Sequence, residues 1–249
     1  MWLERRAPMV IAHRGDSAHA PENTLVAFSL AQERGADAVE FDVKLTGDGQ
    51  VIILHDQSVD RTTNGHGDIR NFSLSQVKEL DAGGWFDPKF SNERIPSLDD
   101  VFSQIGGRIL MNIELTNYAT PGDLLVERVA ELVLKFKVTN SVLFSSFFLG
   151  NLRKAKRLLP GIPCGMLASK GIKGFPWRTW GWRRGMDALH PYLTDVSETL
   201  VSKVHRKGKR INVWTVNDPG EMDRLLALGI DGIFTDDPGL LLEKIRGRP

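Results

Sequence analysis

Short apolar runs alternate with longer segments of helical periodicity along almost the whole chain, and this alternation limits the fold more than any other feature. Strands that are separated by helical segments pair in parallel and indicate an α/β sheet. Eight such runs within 249 residues predict a closed (β/α)8 barrel, a TIM barrel, rather than an open sheet. The predicted strands are Met9 to Ala12, Ala38 to Leu45, Ile109 to Leu115, Val142 to Phe144, Pro163 to Leu167, Ala188 to His190, Ile211 to Val216 and Gly232 to Phe234.

One interruption breaks the alternation after the second strand. A turn at residues 47–49 and a further run, Val51 to Leu54, predict a hairpin-like extension of that strand. The following residues are punctuated by glycine and proline and contain one short predicted helix, Leu74 to Leu80. We interpret residues 56–96 as an insertion within a single domain that spans residues 1–249.

Charge and cysteine content exclude several classes of protein. The formal net charge is only +1, so the overall balance does not indicate a nucleic-acid partner. A single cysteine, Cys164, excludes an intramolecular disulfide and a zinc cluster built from cysteines. No apolar run approaches the ~18 residues of a membrane span, and the first residues lack the apolar core of a signal peptide. We therefore expect a cytoplasmic protein.

Charged and titratable residues stand at the ends of the first two strands. His13 and Arg14 directly follow the first strand, at the edge where parallel α/β proteins bind ligands. Glu40 and Asp42 stand two apart in the second strand, so both carboxylates point to the same face. Carboxylates inside a barrel repel each other and lose hydration, which is costly unless they are paired. A divalent metal, Mg²⁺ or Ca²⁺, would relieve this repulsion. The alternative is that each carboxylate pairs with an arginine or a lysine.

Two more residues extend this set towards a reaction. Glu114 ends the third strand, next to the second, and three carboxylates on adjacent strands can form one metal site. His55 ends the extension of the second strand, opposite His13, and two imidazoles beside a metal provide a general base and a general acid near neutral pH. Because the guanidinium of Arg14 matches a phosphate, the set predicts metal-assisted phosphoryl transfer.

Lys44 and His190 are further candidates for substrate binding. Lys44 continues the alternating face of Glu40 and Asp42, so it can reach the substrate or pair with a carboxylate. His190 ends the sixth strand and is expected at the same end of the barrel.

Eight short motifs follow one another in a fixed order between residue 10 and about residue 238. They are His13-Arg14-Gly15, Pro21-Glu22-Asn23-Thr24, Glu40-x-Asp42-Val43, Val59 to Gly65, Ile95-Pro96-Ser97-Leu98, Asn112-Ile113-Glu114, Val213 to Asn217 and Gly229 to Asp236. Each motif is weak alone, but together and in this order they resemble the glycerophosphodiester phosphodiesterase family. The resemblance implies a TIM barrel with an insertion after strand two, in agreement with the interruption described above.

The resemblance also implies a role for each residue of the set. Glu40, Asp42 and Glu114 would hold the divalent metal, His13 and His55 would be the acid/base pair, and Arg14 would bind the phosphate. The substrate would be a small glycerophosphodiester, and the products would be sn-glycerol 3-phosphate and an alcohol such as choline or ethanolamine. The sequence leaves open which histidine is the base, and whether the glycerol 2-hydroxyl or water attacks phosphorus. Trp214 would stack against the glycerol carbons, or would be an aromatic of the barrel core.

Position 116 departs from the family pattern. The family usually has lysine there, whereas this chain has Thr116, so a cation near the phosphate is missing unless Lys44 or a loop residue replaces it. We expect weaker phosphate binding or a shifted substrate preference, not loss of function. Two alternatives to the leading function are a lipid-directed phosphodiesterase on the same barrel and a catalytically silent barrel. The presence of both histidines and all three carboxylates argues against the silent barrel.

The segment from Lys170 to Arg184 is rich in aromatic and basic residues. It follows the fifth strand, at the active end of the barrel, and holds Phe175, Trp177, Trp180 and Trp182. One hypothesis is a mobile lid, or an interfacial patch that makes a weak contact with an anionic lipid surface. The alternative is that the aromatics pack against the strand-two insertion, since exposed tryptophans usually find cover.

Overall fold

The computed structural model of the protein describes residues 2–4, 8–183 and 185–247. Its strands are β1 (Met9–His13), β2 (Ala38–Leu45), β3 (Val51–Ile53), β4 (Leu110–Leu115), β5 (Val142–Ser146), β6 (Cys164–Ala168), β7 (Ala188–Pro191), β8 (Arg210–Val213) and β9 (Gly232–Thr235). Eight of them pair in parallel in the order β1-β2-β4-β5-β6-β7-β8-β9, and β9 pairs with β1 to close the ring. The predicted TIM barrel is therefore confirmed.

Helices follow the strands around the outside of the barrel. They are α1 (Leu25–Glu33), α2 (Leu74–Glu79), α3 (Leu98–Ile105), α4 (Leu125–Lys135), α5 (Leu149–Leu158), α6 (Phe175–Thr179), α7 (Glu198–His205), α8 (Pro219–Ala227) and α9 (Pro238–Arg246). The largest cluster of buried apolar side chains lies between helices and strands, and Val39, Phe41 and Val43 of β2 belong to it. The alternation along β2 therefore sends its valines and phenylalanine outwards and leaves the opposite face of the strand for the barrel interior.

The barrel interior is layered from one end to the other. Inside the barrel, Met9, Ile11 and Phe234 cluster with Trp2, whose indole Nε1 donates a hydrogen bond to the Ser141 carbonyl at 2.9 Å. These buried side chains form an apolar floor inside the barrel.

A fully buried polar layer lies above the floor. Asn112 Nδ2 donates to Ser145 Oγ at 2.7 Å, and the Asn212 amide contacts the His190 ring at 3.1 Å. Pairing these groups with one another limits the cost of burying them. Glu40 lies level with Asn112 in this layer, and the next inward positions along β2 and β4 are Asp42 and Glu114.

Residues 56–96 and strand β3 form a small structure of their own beside β2. Strand β3 pairs with β2 in antiparallel register, as the hairpin-like extension requires. The segment buries Val59, Ile69 and Val77 in a separate apolar cluster, which also takes in Ile52 of β3. Helix α2 begins with a capping box between Ser73 and Gln76, so the start of this helix is specified within the insertion itself.

Some element boundaries differ from those predicted. Helix α1 begins at Leu25 because Thr24 is its N-cap, with Oγ1 accepting from the Ala27 amide. Helix α4 begins at Leu125, where Asp123 caps the preceding turn by accepting from the Leu125 amide at 3.0 Å. Strand β8 ends at Val213, and Trp214 retains only an isolated bridge to Tyr192.

The aromatic segment after β6 does not pack as either hypothesis stated. Trp182 is completely buried in the main apolar core, with its Nε1 donating to the Arg178 carbonyl at 2.8 Å, and Trp177 packs partly against the same core. Neither belongs to the apolar cluster of the insertion. The expectation of a lipid contact through Trp182 is therefore wrong, because the barrel wall covers this side chain. Phe175 and Trp180 remain exposed, and Arg184 lies outside the described residues. Within the described ranges, no helix has both the length and the apolar character needed to cross a membrane.

Candidate active site

Three carboxylates meet at the carboxyl ends of β2 and β4. In the parallel register Asp42 lies opposite Glu114, and Glu40 lies opposite Asn112. Glu40, Asp42 and Glu114 each offer an oxygen such that all three oxygens lie within 4.8 Å of one another. The structure thus brings the three predicted metal ligands together.

Burial and mutual repulsion shift the protonation of these acids. Burial, with Asp42 and Glu114 close by, raises the pKa of Glu40 well above its usual range. Burial and then Asp42 raise the pKa of Glu114 to about 8. Burial also opposes ionisation of Asp42, but Arg14 and then His55 outweigh it and lower the pKa of Asp42. A positive charge among the three would allow all of them to ionise.

The protein fixes one oxygen of each carboxylate. The Arg14 amide donates to Glu40 Oε2 at 3.1 Å, Asn23 Nδ2 donates to Asp42 Oδ2 at 3.0 Å, and the Tyr118 hydroxyl donates to Glu114 Oε1 at 2.8 Å. Such outer contacts orient carboxylates that ligate metals. Three oriented, hard oxygen donors fit a Mg²⁺- or Ca²⁺-type cation.

Arg14 is held over this cluster by a strained turn. Its backbone adopts the left-handed region with φ 58°, followed by Gly15 with φ 86°. A Cβ on Gly15 would approach the Ala27 backbone to 2.7 Å, so only glycine fits at that position. Arg14 Nε lies 3.3 Å from Asp42 Oδ2, and Nη1 donates to Glu22 at 2.8 Å. Asp42 therefore pairs with an arginine, which was the alternative to a metal. Glu40 and Glu114 form no ion pair with any described residue.

The two predicted acid/base histidines are both oriented by aspartates. His13 Nδ1 contacts Asp236 Oδ1 at 2.7 Å, and His55 Nδ1 contacts Asp56 Oδ1 at 2.6 Å. Asp236 is itself held by Ser17 Oγ at 3.1 Å and by the Asn217 amide. With Nδ1 engaged, Nε2 of each ring is the nitrogen available for proton transfer.

One cavity of about 120 Å³ collects most of these groups. An aromatic wall closes one side, where Trp214 packs edge-to-face on Phe147 at 5.5 Å and on Tyr192 at 5.3 Å. The cavity is lined by His13, Arg14, Glu40, His55, Asn112, Glu114, Ser145, Phe147, Leu167, Trp214, Thr215 and Phe234. Its carboxylate, imidazole, guanidinium and aromatic groups provide what recognition and cleavage of a phosphodiester require.

Lys44 lies behind the carboxylates, outside this cavity. Its ammonium donates to the Thr116 carbonyl at 2.9 Å and contacts Thr116 Oγ1 at 3.2 Å. Lys44 lines a second, larger cavity of about 410 Å³, bordered by the β2–β3 turn, the insertion and the loop after β4. That cavity holds none of the three carboxylates or the two histidines, so its size does not make it the reaction site.

His190 lies beneath the cavity, in the polar layer of the barrel. It is fully buried, and burial lowers its pKa to about 3, so the ring is neutral. It is not among the cavity-lining residues, but its carbonyl accepts a hydrogen bond from Trp214 Nε1 at 2.8 Å. His190 therefore supports Trp214 through its backbone carbonyl.

Sequence reasoning did not assign roles to Glu22, Asp56, Tyr118 and Asp236. Glu22 and Asp236 lie inside motifs of the chain, and Asp56 directly follows His55, so their positions were available signals. Tyr118 follows Glu114 by four residues in a loop, and its contact depends on how that loop folds back.

Comparison with known proteins identifies the group to which this site belongs. The sequence model of the glycerophosphoryl diester phosphodiesterase family matches residues 13–240. A glycerophosphodiester phosphodiesterase of Caldanaerobacter subterraneus subsp. tengcongensis is 40% identical over 239 residues, which cover 96% of this chain and 98% of that protein. A putative glycerophosphodiester phosphodiesterase of Bacillus subtilis is 35% identical, with 94% and 96% covered.

Solved structures give the same result. A phosphodiesterase of Oleispira antarctica, determined in complex with the product sn-glycerol-3-phosphate, superposes with a TM-score of 0.86 at 33% identity, covering 96% of this chain and 97% of that one. A glycerophosphodiester phosphodiesterase of Agrobacterium tumefaciens superposes with a TM-score of 0.80 at 27% identity, covering 94% and 99%. The chain belongs to the glycerophosphoryl diester phosphodiesterase family and is an enzyme of that class.

Proposed function

We propose that this enzyme hydrolyses small glycerophosphodiesters to sn-glycerol 3-phosphate and an alcohol, with a divalent metal as cofactor. The proposal rests on one observation: three carboxylates have oxygens within 4.8 Å of one another, and two of them, Glu40 and Glu114, line one cavity with two aspartate-held histidines and an arginine. The product complex of the Oleispira antarctica relative supports the glycerol phosphate half of the substrate.

Glu40, Asp42 and Glu114 would hold the metal. The cation would supply charge stabilisation for the phosphoryl oxygens. The donor set suits both Mg²⁺ and Ca²⁺, which differ in the coordination number that they accept. Arg14 would add a second positive charge for the phosphate, since Glu22 and Asp42 orient its guanidinium.

His13 and His55 would carry the protons. One imidazole accepts the proton of the attacking oxygen, and the other donates a proton to the oxygen of the leaving alcohol as its P–O bond breaks. The attacking oxygen belongs either to the glycerol 2-hydroxyl, which gives a cyclic phosphate that water then opens, or to water itself. In the cyclic route the two histidines exchange roles in the second step. Detection of a cyclic glycerophosphate by phosphorus NMR would decide between the routes.

Trp214 would bind the glycerol carbons. It lines the cavity and is fixed by the His190 carbonyl, Phe147 and Tyr192, so its ring has a defined position. Lys44, which reaches Thr116 instead of the cavity, would act on the phosphate only through its charge behind Asp42 and Glu114. We propose no substrate contact for His190.

The decisive experiment is release of glycerol 3-phosphate from glycerophosphocholine, with EDTA and after re-addition of Mg²⁺ or Ca²⁺. We expect EDTA to abolish the activity, and His13→Gln and His55→Gln to do the same in the presence of metal. His66→Gln is a matched control, because His66 is exposed in the insertion and, among the described residues, pairs with Asp60 alone. Activity that survives thorough chelation would rule out the metal, and full activity of either catalytic variant would rule out that histidine.

A lipid substrate is the competing assignment. The cavity of about 120 Å³ favours a small substrate, because an acyl chain requires a longer apolar channel. Faster turnover of lysophosphatidylcholine than of glycerophosphocholine would reverse this preference.

A weak contact with an anionic lipid surface is the remaining proposal, now with a smaller set of residues. Phe175 and Trp180 are more than half exposed and pack edge-to-face, and Ile172 beside them is almost fully exposed. Five cations and no acidic residue lie between positions 170 and 185, which suits an anionic surface. Sedimentation with phosphatidylglycerol vesicles should weaken in Phe175→Ala/Trp180→Ala but not in Trp85→Ala, an exposed tryptophan of the insertion. No pelleting of the parent protein would exclude this contact. A cytoplasmic location stays a prediction.

A further inference from the structure

One arginine of the insertion joins two carboxylates that lead into the active site. Arg61 donates from Nη1 and Nη2 to the two oxygens of Glu22, at 2.7 and 2.8 Å, and from Nε to Asp56 at 2.6 Å. All three nitrogens of the guanidinium are therefore engaged. The pairing with Glu22 is bidentate, the geometry in which arginine gives both strength and direction.

Each of these carboxylates also contacts a residue of the candidate active site through a further hydrogen bond. Glu22 Oε1 also accepts from Arg14 Nη1 at 2.8 Å, and Asp56 Oδ1 contacts His55 Nδ1 at 2.6 Å. A continuous chain of charged groups thus runs from His55 through Asp56, Arg61 and Glu22 to Arg14. The group that would bind the phosphate and one proton carrier are tied to the same guanidinium.

The backbone around Arg61 is well anchored although the side chain is partly exposed. The next two residues, Thr62 and Thr63, are buried, and Thr63 Oγ1 donates to the Val59 carbonyl at 2.7 Å. Val59 belongs to the apolar cluster of the insertion. The fold of the insertion therefore sets the position of Arg61, and exposed ion pairs that would contribute little singly act here as a network.

We infer that Arg61 is a positioning residue through which the insertion fixes both Arg14 and His55. Arg61 does not line the cavity, so it acts through Glu22 and Asp56 and not on the substrate. The inference rests on the proposed function, since it assumes that Arg14 binds the phosphate and His55 transfers a proton. The insertion would thereby contribute to the reaction, although Arg61 itself does not line the cavity.

The test compares Arg61→Ala and Arg61→Lys with Arg70→Ala. Arg70 is a matched control, because it lies in the same insertion, is similarly exposed and pairs with Asp68. For Arg61→Ala we expect a fall in kcat/KM of about 10- to 100-fold, the usual cost of removing an outer orienting partner. KM should rise because Arg14 is no longer oriented for the phosphate. The value of kcat should fall because His55 is no longer oriented for proton transfer. Lysine should restore little, because one ammonium cannot replace a planar bidentate donor.

Two readouts separate positioning from a general structural effect. Guanidinium at low concentration should restore part of the activity of Arg61→Ala, whereas sodium chloride of equal ionic strength should not. Calorimetry should show weaker binding of inorganic phosphate to Arg61→Ala than to Arg70→Ala, with equal Tm values for the two variants.

Parent-like kinetics and phosphate affinity of Arg61→Ala would overturn the inference. So would a loss of activity that follows a lower Tm and does not respond to guanidinium. If the parent protein does not hydrolyse glycerophosphocholine, the proposed function fails instead, and phosphate affinity across the three variants then decides the role of Arg61 alone.

Discussion

Glu114 makes the stability of the metal-free protein depend on pH in a direction that can be worked out. Burial and Asp42 raise the pKa of Glu114 from 4.5 to about 8. A pKa that is raised by folding gives stability that is complete below the unfolded value and is lost as the pH rises through the folded value. The window is therefore about pH 4.5 to 8. At pH 7 the loss reaches at most about 3 kcal/mol, since each pH unit above 4.5 costs about 1.36 kcal/mol.

Glu114→Gln should remove this loss. Glutamine has nearly the same shape and keeps an oxygen for the Tyr118 hydroxyl, which lies 2.8 Å from Glu114 Oε1. Because the amide does not ionise, we expect the variant in EDTA near pH 7.5 to exceed the parent in free energy of unfolding by about 2 to 3 kcal/mol. Near pH 4.5 the two proteins should be almost equal. Excess Mg²⁺ should stabilise the parent and leave the variant largely unchanged, because binding to the native state alone raises its stability.

The assay is urea unfolding followed by circular dichroism, in EDTA and in Mg²⁺, across this pH range. Glu131→Gln on α4 is the control, since Glu131 is well exposed and pairs only with Arg128. The reasoning is refuted if Glu114→Gln keeps the pH slope of the parent, or if it is the less stable of the two in EDTA near pH 7.5. If Glu114→Gln is more stable but inactive, the ionised Glu114 side chain serves activity and lowers the stability of the folded protein.

Three further predictions concern catalysis. Asp236→Asn, which removes the charge 2.7 Å from His13 Nδ1, should lower kcat by about 10- to 100-fold with little change in KM; an unchanged kcat in steady-state assays would contradict this. Thr116→Lys places a second ammonium beside Lys44 and should alter KM or kcat for glycerophosphocholine; if both stay unchanged, the departure at this position has no bearing on the phosphate. Trp214→Ala should raise KM much more than it lowers kcat, and a fall in kcat alone would show that the ring orients reacting groups instead of binding glycerol.

The alternation of strands and helices was enough to predict the barrel, because one side of each strand must face helices and the other a closed interior. Alternation also predicted that Glu40 and Asp42 share a face and that Glu114 lies beside them, since parallel neighbours place equivalent positions side by side. Both predictions depend on backbone geometry, which short-range sequence patterns determine well.

Side-chain partners were harder to predict. The contact of His13 with Asp236 spans 223 residues, and no local pattern specifies it. The burial of Trp182 depends on a short loop that folds back onto the barrel wall. The presence of a tryptophan in a basic segment does not predict whether it is buried or exposed. Lys44 was correctly placed on the acidic face, but the reach of its flexible side chain to Thr116 is decided by packing in the folded chain.

The pairing of β1 with β9 has a consequence for when the enzyme becomes active during its synthesis. His13 precedes Asp236 by 223 residues, so it leaves the ribosome well before its partner is synthesised. An emerging chain can fold its early strands while translation continues. It cannot orient its first histidine until the final strand closes the ring beside it. Completion of the barrel and assembly of the His13–Asp236 contact are therefore one event, so a truncated product that lacks the last strand should show no hydrolysis of glycerophosphocholine.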